Sequence, residues 1–393
     1  MFGGLALLLG TAFYLPLTLL APLKASAATI APYETPVTAT PEIDFPDYGA
    51  TAVGAVGFDG LLAQGGTDAP VPMASITKVV TALVVLEAKP LGVGEDGPTI
   101  TFTSRDNQIY NEYVNRNGSV KPVRAGLVLT QRQVLDLTLI SSANNYTQAL
   151  VNWAFGSEEA FLPIAASWLA EKGLGGITLT DSTGMNPENT ATAAQLVELG
   201  KLALQNDLVA EITSTQSKEI PGVGSITNTN KLLGVDGITG FKTGMLTDTG
   251  SNLLFTAEYP VGEQTVTVVG VMLGGKNKDV LNADIQSLLA TVRAGFQELT
   301  LTTTGQNYGS YTSLWGDASD LVAAADARVV VWGETPVSLD VEASPVSLVS
   351  AGTTVGLLTF TVGTATVEVP LEMASTIDDP GVGWRLSHPA ELF

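Results

Sequence analysis

Ser75 and Lys78 are the first residues whose types and spacing suggest chemistry. They lie in the run Met73-Ala74-Ser75-Ile76-Thr77-Lys78-Val79-Val80-Thr81-Ala82-Leu83-Val84-Val85-Leu86-Glu87, which reads as a helix from about Ser75 to Ala88. Lys89-Pro90 ends it, because a residue before proline avoids the helical region. Side chains three apart share a helix face. From Ile76 to Leu86 the one charge is Lys78, and a helix apolar nearly all round is a buried helix. The segment thus carries an ammonium group into a core, which is costly unless the group is paired or loses its proton. A hydroxyl beside a desolvated lysine is one way to activate a serine nucleophile. Alone, the pair also has a plain reading, with Ser75 as a helix cap and Lys78 reaching its head group to water.

Composition narrows the choice. The chain has 393 residues, is 45% hydrophobic and carries a net charge of -21, with no Lys/Arg cluster. It can bury a sizeable core in two domains, and its charge argues against nucleic acid and against anionic lipid as partners. There is no cysteine, which removes disulfides, thiolate nucleophiles and cysteine metal sites together. The single histidine, His388, lies near the C-terminus, so neither a Ser-His-Asp triad nor a multi-histidine metal site fits. Proton transfer in any hydrolysis must then fall to lysine, carboxylates or hydroxyls. No metal or organic cofactor is called for.

The elements that would position these residues follow along the chain. Residues 2–23 are uncharged and largely apolar, and Ala25-Ser26-Ala27 supplies small residues for a cleavage site. Residues 1–27 are therefore expected to be a signal peptide or an N-terminal membrane anchor, placing the rest outside the cytoplasm. Residues 28–47, punctuated by prolines, read as a linker. Two short strands are expected between Tyr48 and Ala63, and Thr99–Thr103 is strand-like before a polar loop with Arg105, Asn107, Asn111 and Arg116. Helices are expected over Val134–Ser141, with a capping box from Thr130, then Tyr146–Phe155, Glu158–Lys172 and Ala193–Gln205, with a strand at Ile177–Thr180. Beyond residue 218 the pattern alternates as an antiparallel sheet does: Phe241–Thr243, Asn252–Glu258 and Gln264–Leu273, closed by a helix near Val280–Leu299. Strands at both ends with a helical insertion between them give one α+β domain, residues 48–304. Short β-runs then suggest a small all-β domain, 305–378, before a solvated tail, 379–393, that holds Trp384-Arg385-Leu386 and His388.

Two further motifs join the first. Ser142-Ala143-Asn144 falls on the break between two helices, and Lys242-Thr243-Gly244 precedes a strand. Each alone reads as a turn. In this order, Ser-x-x-Lys, Ser-x-Asn and Lys-Thr-Gly match the motif set of penicillin-binding proteins and class A β-lactamases. From about Tyr48 to Leu299 the chain resembles the low-molecular-mass penicillin-binding proteins that are D-alanyl-D-alanine carboxypeptidases, serine peptidases of the SxxK type. The residues that carry the likeness are Met73 to Lys78, Leu139-Ile140-Ser141-Ser142-Ala143-Asn144-Asn145, Asp181-Ser182-Thr183-Gly184-Met185 and Gly240-Phe241-Lys242-Thr243-Gly244. Gly352 to Leu371 also looks like that family's C-terminal β-domain.

The resemblance implies a β-lactamase/DD-peptidase-like catalytic domain, an antiparallel sheet with helices on both faces plus a helical subdomain. It also implies removal of the terminal D-alanine from peptidoglycan stem peptides, with β-lactams as covalent inhibitors. On that reading Ser75 attacks the peptide carbonyl, and Lys78, neutral by burial near Lys242, takes its proton. Ser142 relays a proton to the leaving amine, and Asn144 orients Lys78 and the substrate amide. Lys242 and Thr243 engage the terminal carboxylate, and Gly244 lets the backbone approach. The N–H groups of Ser75 and Met245 form the oxyanion hole. The chain departs from the family pattern at Thr239, where an aspartate is frequent, at Asn145, and at Thr267, where an arginine is frequent on the strand after Lys-Thr-Gly. Three other readings share the scaffold: an endopeptidase cutting crosslinks, a class A-like β-lactamase, and a non-catalytic wall-binding protein. The β-lactamase would need a loop glutamate, and Glu188-Asn189 has the wrong spacing for it.

Overall fold

The computed structural model describes residues 12–393. It divides the chain into two units, one running from Pro41 to Ala294 and the other combining the described residues up to Thr40 with Gly295–Phe393.

The first unit is built on a five-stranded antiparallel sheet. Its strands are β1 (Ala50–Ala55), β2 (Ala63–Gly66), β3 (Ile238–Leu246), β4 (Gly250–Val261) and β5 (Gln264–Gly275), in the spatial order β3-β4-β5-β1-β2. β3 is therefore an edge strand, with Thr243 opposite Leu253 in register. Successive strand residues face opposite sides. Val269, Val271 and Leu254 join the main core, while Met272 accepts a bond from Tyr48 on the other face, where Tyr48 also bonds Asp284 at 2.5 Å. Both faces being covered explains why β5 reads Val-Val-Gly-Val-Met-Leu rather than alternating with polar residues.

The helical insertion lies between β2 and β3. Helix α1 (Thr77–Ala88) is buried from Thr77 to Leu86, as its composition requires. Helix α2 (Ser104–Asn115) replaces the expected polar loop. Its start is fixed by a capping box, with the Thr103 hydroxyl accepting from Arg105 N–H and Asp106 accepting from Thr103 N–H at 2.7 Å. Its low apolar content had hidden it, since only Ile109 and Tyr113 are buried. Helices α3 (Gln131–Leu139), α4 (Asn144–Phe155), α5 (Glu158–Glu171) and α6 (Ala193–Leu204) match their expected places, and α3 carries the Thr130/Gln133 capping box. A further helix, α7 (Asp207–Ser214), follows, capped by Asn206. Ile177–Thr180 is not a strand; it makes one bridge, Thr178 to Thr190. The closing helix α8 (Lys278–Ala294) stops short of Leu299, because residues Phe296–Thr302 are extended and pair with Ala327–Trp332.

The second unit is all-β except near its ends. Its six-stranded sheet runs Thr29–Ile30, Asn307–Thr312, Ala318–Ala323, Ala365–Met373, Thr354–Val362, Val337–Ala343. Tyr308, Tyr311, Leu358, Phe360 and Leu371 form its core. The structure thus places the boundary near 294/295 rather than 304/305. Part of the expected linker, Thr29–Ile30, is a strand on Ser310 and Gly309. The expected solvated tail is instead helical at Gly381–Ser387 and Pro389–Leu392. Arg385 is buried there between Asp379, at 2.6 Å, and the carbonyl of Ala21, at 2.7 Å. Trp384 lies between Trp315 and His388, and His388 itself is exposed. The expected signal or anchor falls partly outside the described residues; residues 12–19 are helical, and among the described residues no helix is long and apolar enough to cross a membrane.

Candidate active site

Ser75 occupies a single 3-10 turn, Ala74–Ile76, that runs directly into α1. Met73, Ala74, Ile76 and Thr77 are buried and Ser75 is half-buried, so Ser75 is the residue of this turn offered to solvent. Ala74 adopts a φ of +50°, a conformation that non-glycine residues rarely take. The turn is clamped from two sides by glycines. A Cβ on Gly184 would lie 1.9 Å from the Ala74 carbonyl oxygen, and one on Gly244 would lie 2.7 Å from the Met73 carbonyl oxygen. No side chain fits at either place, which is the physical demand behind both glycines in their motifs.

Lys78 lies one helical turn on, fully buried, with Nζ 2.9 Å from Ser75 Oγ. Nζ also donates to the Thr183 carbonyl at 2.6 Å. That carbonyl is held by a turn wound around the Asp181 carboxylate, which accepts from the N–H groups of Thr183 at 2.7 Å, Gly184 at 2.6 Å and Asn186 at 2.6 Å. Burial drives the Lys78 pKa well below the ordinary lysine range, and the nearby Lys242 charge adds to this, while Asp181 opposes it. Lys242 is likewise buried, and burial with the charge of Lys278 brings it down to about 7. Its Nζ donates to the Thr243 carbonyl at 3.2 Å.

Ser142 sits between α3 and α4 at a φ of +59°, buried. The break is fixed by backbone bonds from Ala143 to Leu137 and from Asn144 to Ser119. Asn144 is buried at the start of α4 with its Oδ1 unpartnered, an acceptor that faces a cost until something donates to it. Thr243 Oγ1 lies 2.6 Å from Thr229 Oγ1, and Met245 is 58% exposed on the edge strand. The structure therefore brings Ser75, Lys78, Gly244 and Lys242 together; Ser142 and Asn144 lie buried on the break between α3 and α4. Sequence reasoning did not assign Asp181, Thr183 or Thr229 a part. The first two carried a signal in the Asp-Ser-Thr-Gly run. Thr229 carried none, because its pairing with Thr243 is made only by the fold.

Thr267, near which the resemblance led to the expectation of an arginine, pairs with Glu258 near the start of β5. Glu188 is exposed, with its N–H donating to Asn186 Oδ1.

The chain is similar to penicillin-binding protein 5 from Haemophilus influenzae, at 17% identity and a TM-score of 0.59 over 89% of this chain and all of that one. It is also similar in fold to the peptidoglycan synthesis regulatory factor PBP3 from Streptococcus pneumoniae, at 23% identity and a TM-score of 0.61 over 87% of this chain and 100% of that one. In sequence it is 23% identical over 275 residues to D-alanyl-D-alanine carboxypeptidase DacA of Escherichia coli, covering 68% of this chain and 66% of that protein. A D-alanyl-D-alanine endopeptidase of Pseudomonas aeruginosa is 30% identical over 154 residues, 39% of this chain and 46% of its own length. The chain thus spans slightly under two thirds of the length of the first of these carboxypeptidases. Residues 59–277, which contain all three motifs and the strands that carry them, match the signature of the D-alanyl-D-alanine carboxypeptidase peptidases, and the chain belongs to that family.

Proposed function

We propose that the protein is a serine-type D-Ala-D-Ala carboxypeptidase that trims peptidoglycan stem peptides through an acyl-enzyme on Ser75. The observation that carries this reading is the 2.9 Å approach of a fully buried lysine, with no carboxylate partner among the described residues, to the hydroxyl of a half-buried serine. Neutral Lys78 accepts the Ser75 proton as Oγ bonds to the carbonyl carbon. The Ser75 and Met245 N–H groups hold the developing oxyanion. Collapse of this intermediate breaks the C–N bond, and the leaving D-alanine amine takes the proton by way of Ser142. Water then attacks the ester and gives one proton to Lys78, and as the ester C–O bond breaks Lys78 passes that proton to Ser75 Oγ, restoring the free serine and the neutral amine. Asn144, whose Oδ1 awaits a donor, is suited to the substrate amide N–H. Because β3 is an edge strand, the substrate backbone can pair along it beside Gly244. β-Lactams enter as covalent inhibitors by the same first step. The N-terminal apolar run serves as export signal or anchor, so that the units act outside the cytoplasm, on the cell wall.

The test is intact-mass spectrometry after incubation with benzylpenicillin, beside Ser75→Ala. A slowly decaying adduct on the wild type alone is expected. Rapid turnover with no trapped adduct would transfer the reading to a β-lactamase, and absence of both from folded protein would leave a wall-binding module.

A further inference from the structure

We propose that Glu158 is a positioning residue for the base: through Ser182 it holds the Thr183 carbonyl where that carbonyl orients the Lys78 amine. The role rests on the acyl-enzyme reading above and deepens it.

A neutral amine has two N–H bonds and one lone pair, and it accepts a proton along the lone pair. At Lys78 one N–H goes to the Thr183 carbonyl, 2.6 Å away, and Ser75 Oγ lies 2.9 Å from the same nitrogen. The carbonyl thus fixes rotation about the last bond of the side chain and leaves the lone pair for the hydroxyl. Proton transfer to a positioned group depends on that alignment. A displaced carbonyl would leave the amine buried but free to turn.

The preceding residue places the carbonyl. Ser182 is fully buried, and its N–H, hydroxyl and carbonyl are all committed. The Ser182 carbonyl accepts from Thr81 Oγ1 of α1 at 2.7 Å. Its N–H and its hydroxyl both donate to one oxygen of Glu158, at 2.7 and 2.5 Å. Glu158 is the first residue of α5, and that helix start is fixed by the Ser157 cap. The Asp181 carboxylate accepts from the N–H groups of Thr183, Gly184 and Asn186, so it shapes the turn from within. Glu158 ties the same turn to α5, and Thr81 ties it to α1. Without Glu158 two buried donors lose their acceptor, which costs free energy until the Ser182 backbone turns toward another. Such a turn swings the adjoining Thr183 carbonyl away from Lys78 Nζ.

The experiment follows acylation of the full chain by benzylpenicillin over a range of concentrations. This separates the affinity of the first, reversible complex from the rate constant of acylation within it. Glu158→Ala is expected to lower the rate constant about 10-fold, a fraction of what a displacement of about 1 Å can cost, with affinity held within about 2-fold. Glu158→Gln keeps an acceptor oxygen for both Ser182 donors and should restore the rate constant to within about 3-fold of wild type. Glu159→Ala is the control for the helix end, because Glu159 is an exposed acidic residue of the same first turn. It should leave the rate constant unchanged. Ser182→Ala removes one of the two bonds and should cost less than Glu158→Ala. It should cost nothing further once Glu158 is alanine, the non-additivity of a shared contact. Ser182→Ala, the gentler change, decides the matter on its own if Glu158→Ala fails to fold. An unchanged rate constant, an equal loss in Glu159→Ala, a loss that falls on affinity, or a Glu158→Gln variant as slow as Glu158→Ala would each overturn this role alone. A wild type that benzylpenicillin leaves unmodified would overturn the acyl-enzyme reading and this role with it.

Discussion

Two regions of the same unit bury cations, and they treat them in opposite ways. Between α3, α7 and the strand Ser217–Ile220, Arg132 meets Asp136 at 3.0 Å and Glu211 at 2.6 Å, and Lys218 meets Asp136 at 2.6 Å. Burial works against the Arg132 charge, but the bonds to Glu211 and Asp136 outweigh it and hold its pKa up. In the cleft, Lys78 and Lys242 are buried with carbonyls and a hydroxyl for company, and both are pushed down. The first arrangement keeps charge and ties elements together. The second removes charge and leaves a base. The presence or absence of a carboxylate within bonding distance separates a structural cation from a chemical one.

Breaking the chemical side should give the largest effect. Lys78→Met removes the base and is expected to slow acylation by benzylpenicillin about 10²–10⁴-fold, the usual worth of a positioned proton acceptor. The same change removes a desolvated amine, so the melting temperature should rise as acylation falls. A variant that loses both together would show Lys78 to be part of the scaffold.

Breaking the structural side should do the reverse. Asp136→Asn leaves Lys218 unpaired and Arg132 with Glu211 alone, and should cost about 3 kcal/mol in denaturant unfolding. Acylation by the folded fraction should change by less than a few-fold, since the Asp136 carboxylate bonds Arg132 and Lys218 rather than a residue of the cleft. Yet Asp136 also carries the carbonyl that ends α3 at Ile140, and the Ile140 carbonyl in turn accepts from Thr229 N–H. A large loss of acylation with little loss of stability would mean that this network sets the position of Thr229.

How much of this was legible beforehand follows the range of each interaction. The buried face of α1, the helix starts with capping boxes and the strands of the all-β unit are local patterns, and they matched. The motifs Ser75–Lys78, Ser142–Asn144 and Lys242–Gly244 were legible because each is contiguous and their order is informative. Helix α2 was missed because it is mostly solvated and lacks an apolar stripe. The end of α8 was misplaced because Phe296–Thr302 becomes a strand only through a partner at Ala327–Trp332. The tail was misread for the same reason, since Arg385 is held by Asp379 and by Ala21, more than three hundred residues away in the chain. Thr229 and the Asp136 network depend wholly on such distant pairings.

Lys242 sharpens the contrast through pH. An unfolded lysine titrates near 10.5, and in the fold Lys242 titrates at about 7. As pH falls from 10.5 toward 7 the unfolded chain takes up a proton that the folded chain refuses, so stability declines; below 7 both are protonated and the penalty is constant. Lys242→Met should therefore stabilise the protein by ~2 kcal/mol at pH 6 and by much less at pH 10. Equal gains at the two pH values would assign the effect to packing rather than to the ammonium.

The smallest expected effect tests whether pairing or burial gives the Arg132 cluster its weight. Arg105 and Glu112 on α2 meet at 2.8 Å, as close as the buried pair, but with side chains 61% and 54% exposed. Water and salt already solvate both ends, so the fold gains little from their contact. Glu112→Gln should change unfolding free energy by less than ~0.5 kcal/mol, and even that difference should vanish at high salt. The cost of Asp136→Asn should persist at high salt, because Asp136 is fully buried and its field is not screened. If both variants lost their effect in salt alike, the Arg132 cluster would be behaving as a surface pair. The distinction between buried cations that hold charge and buried cations that shed it would then rest on Lys78 and Lys242 alone.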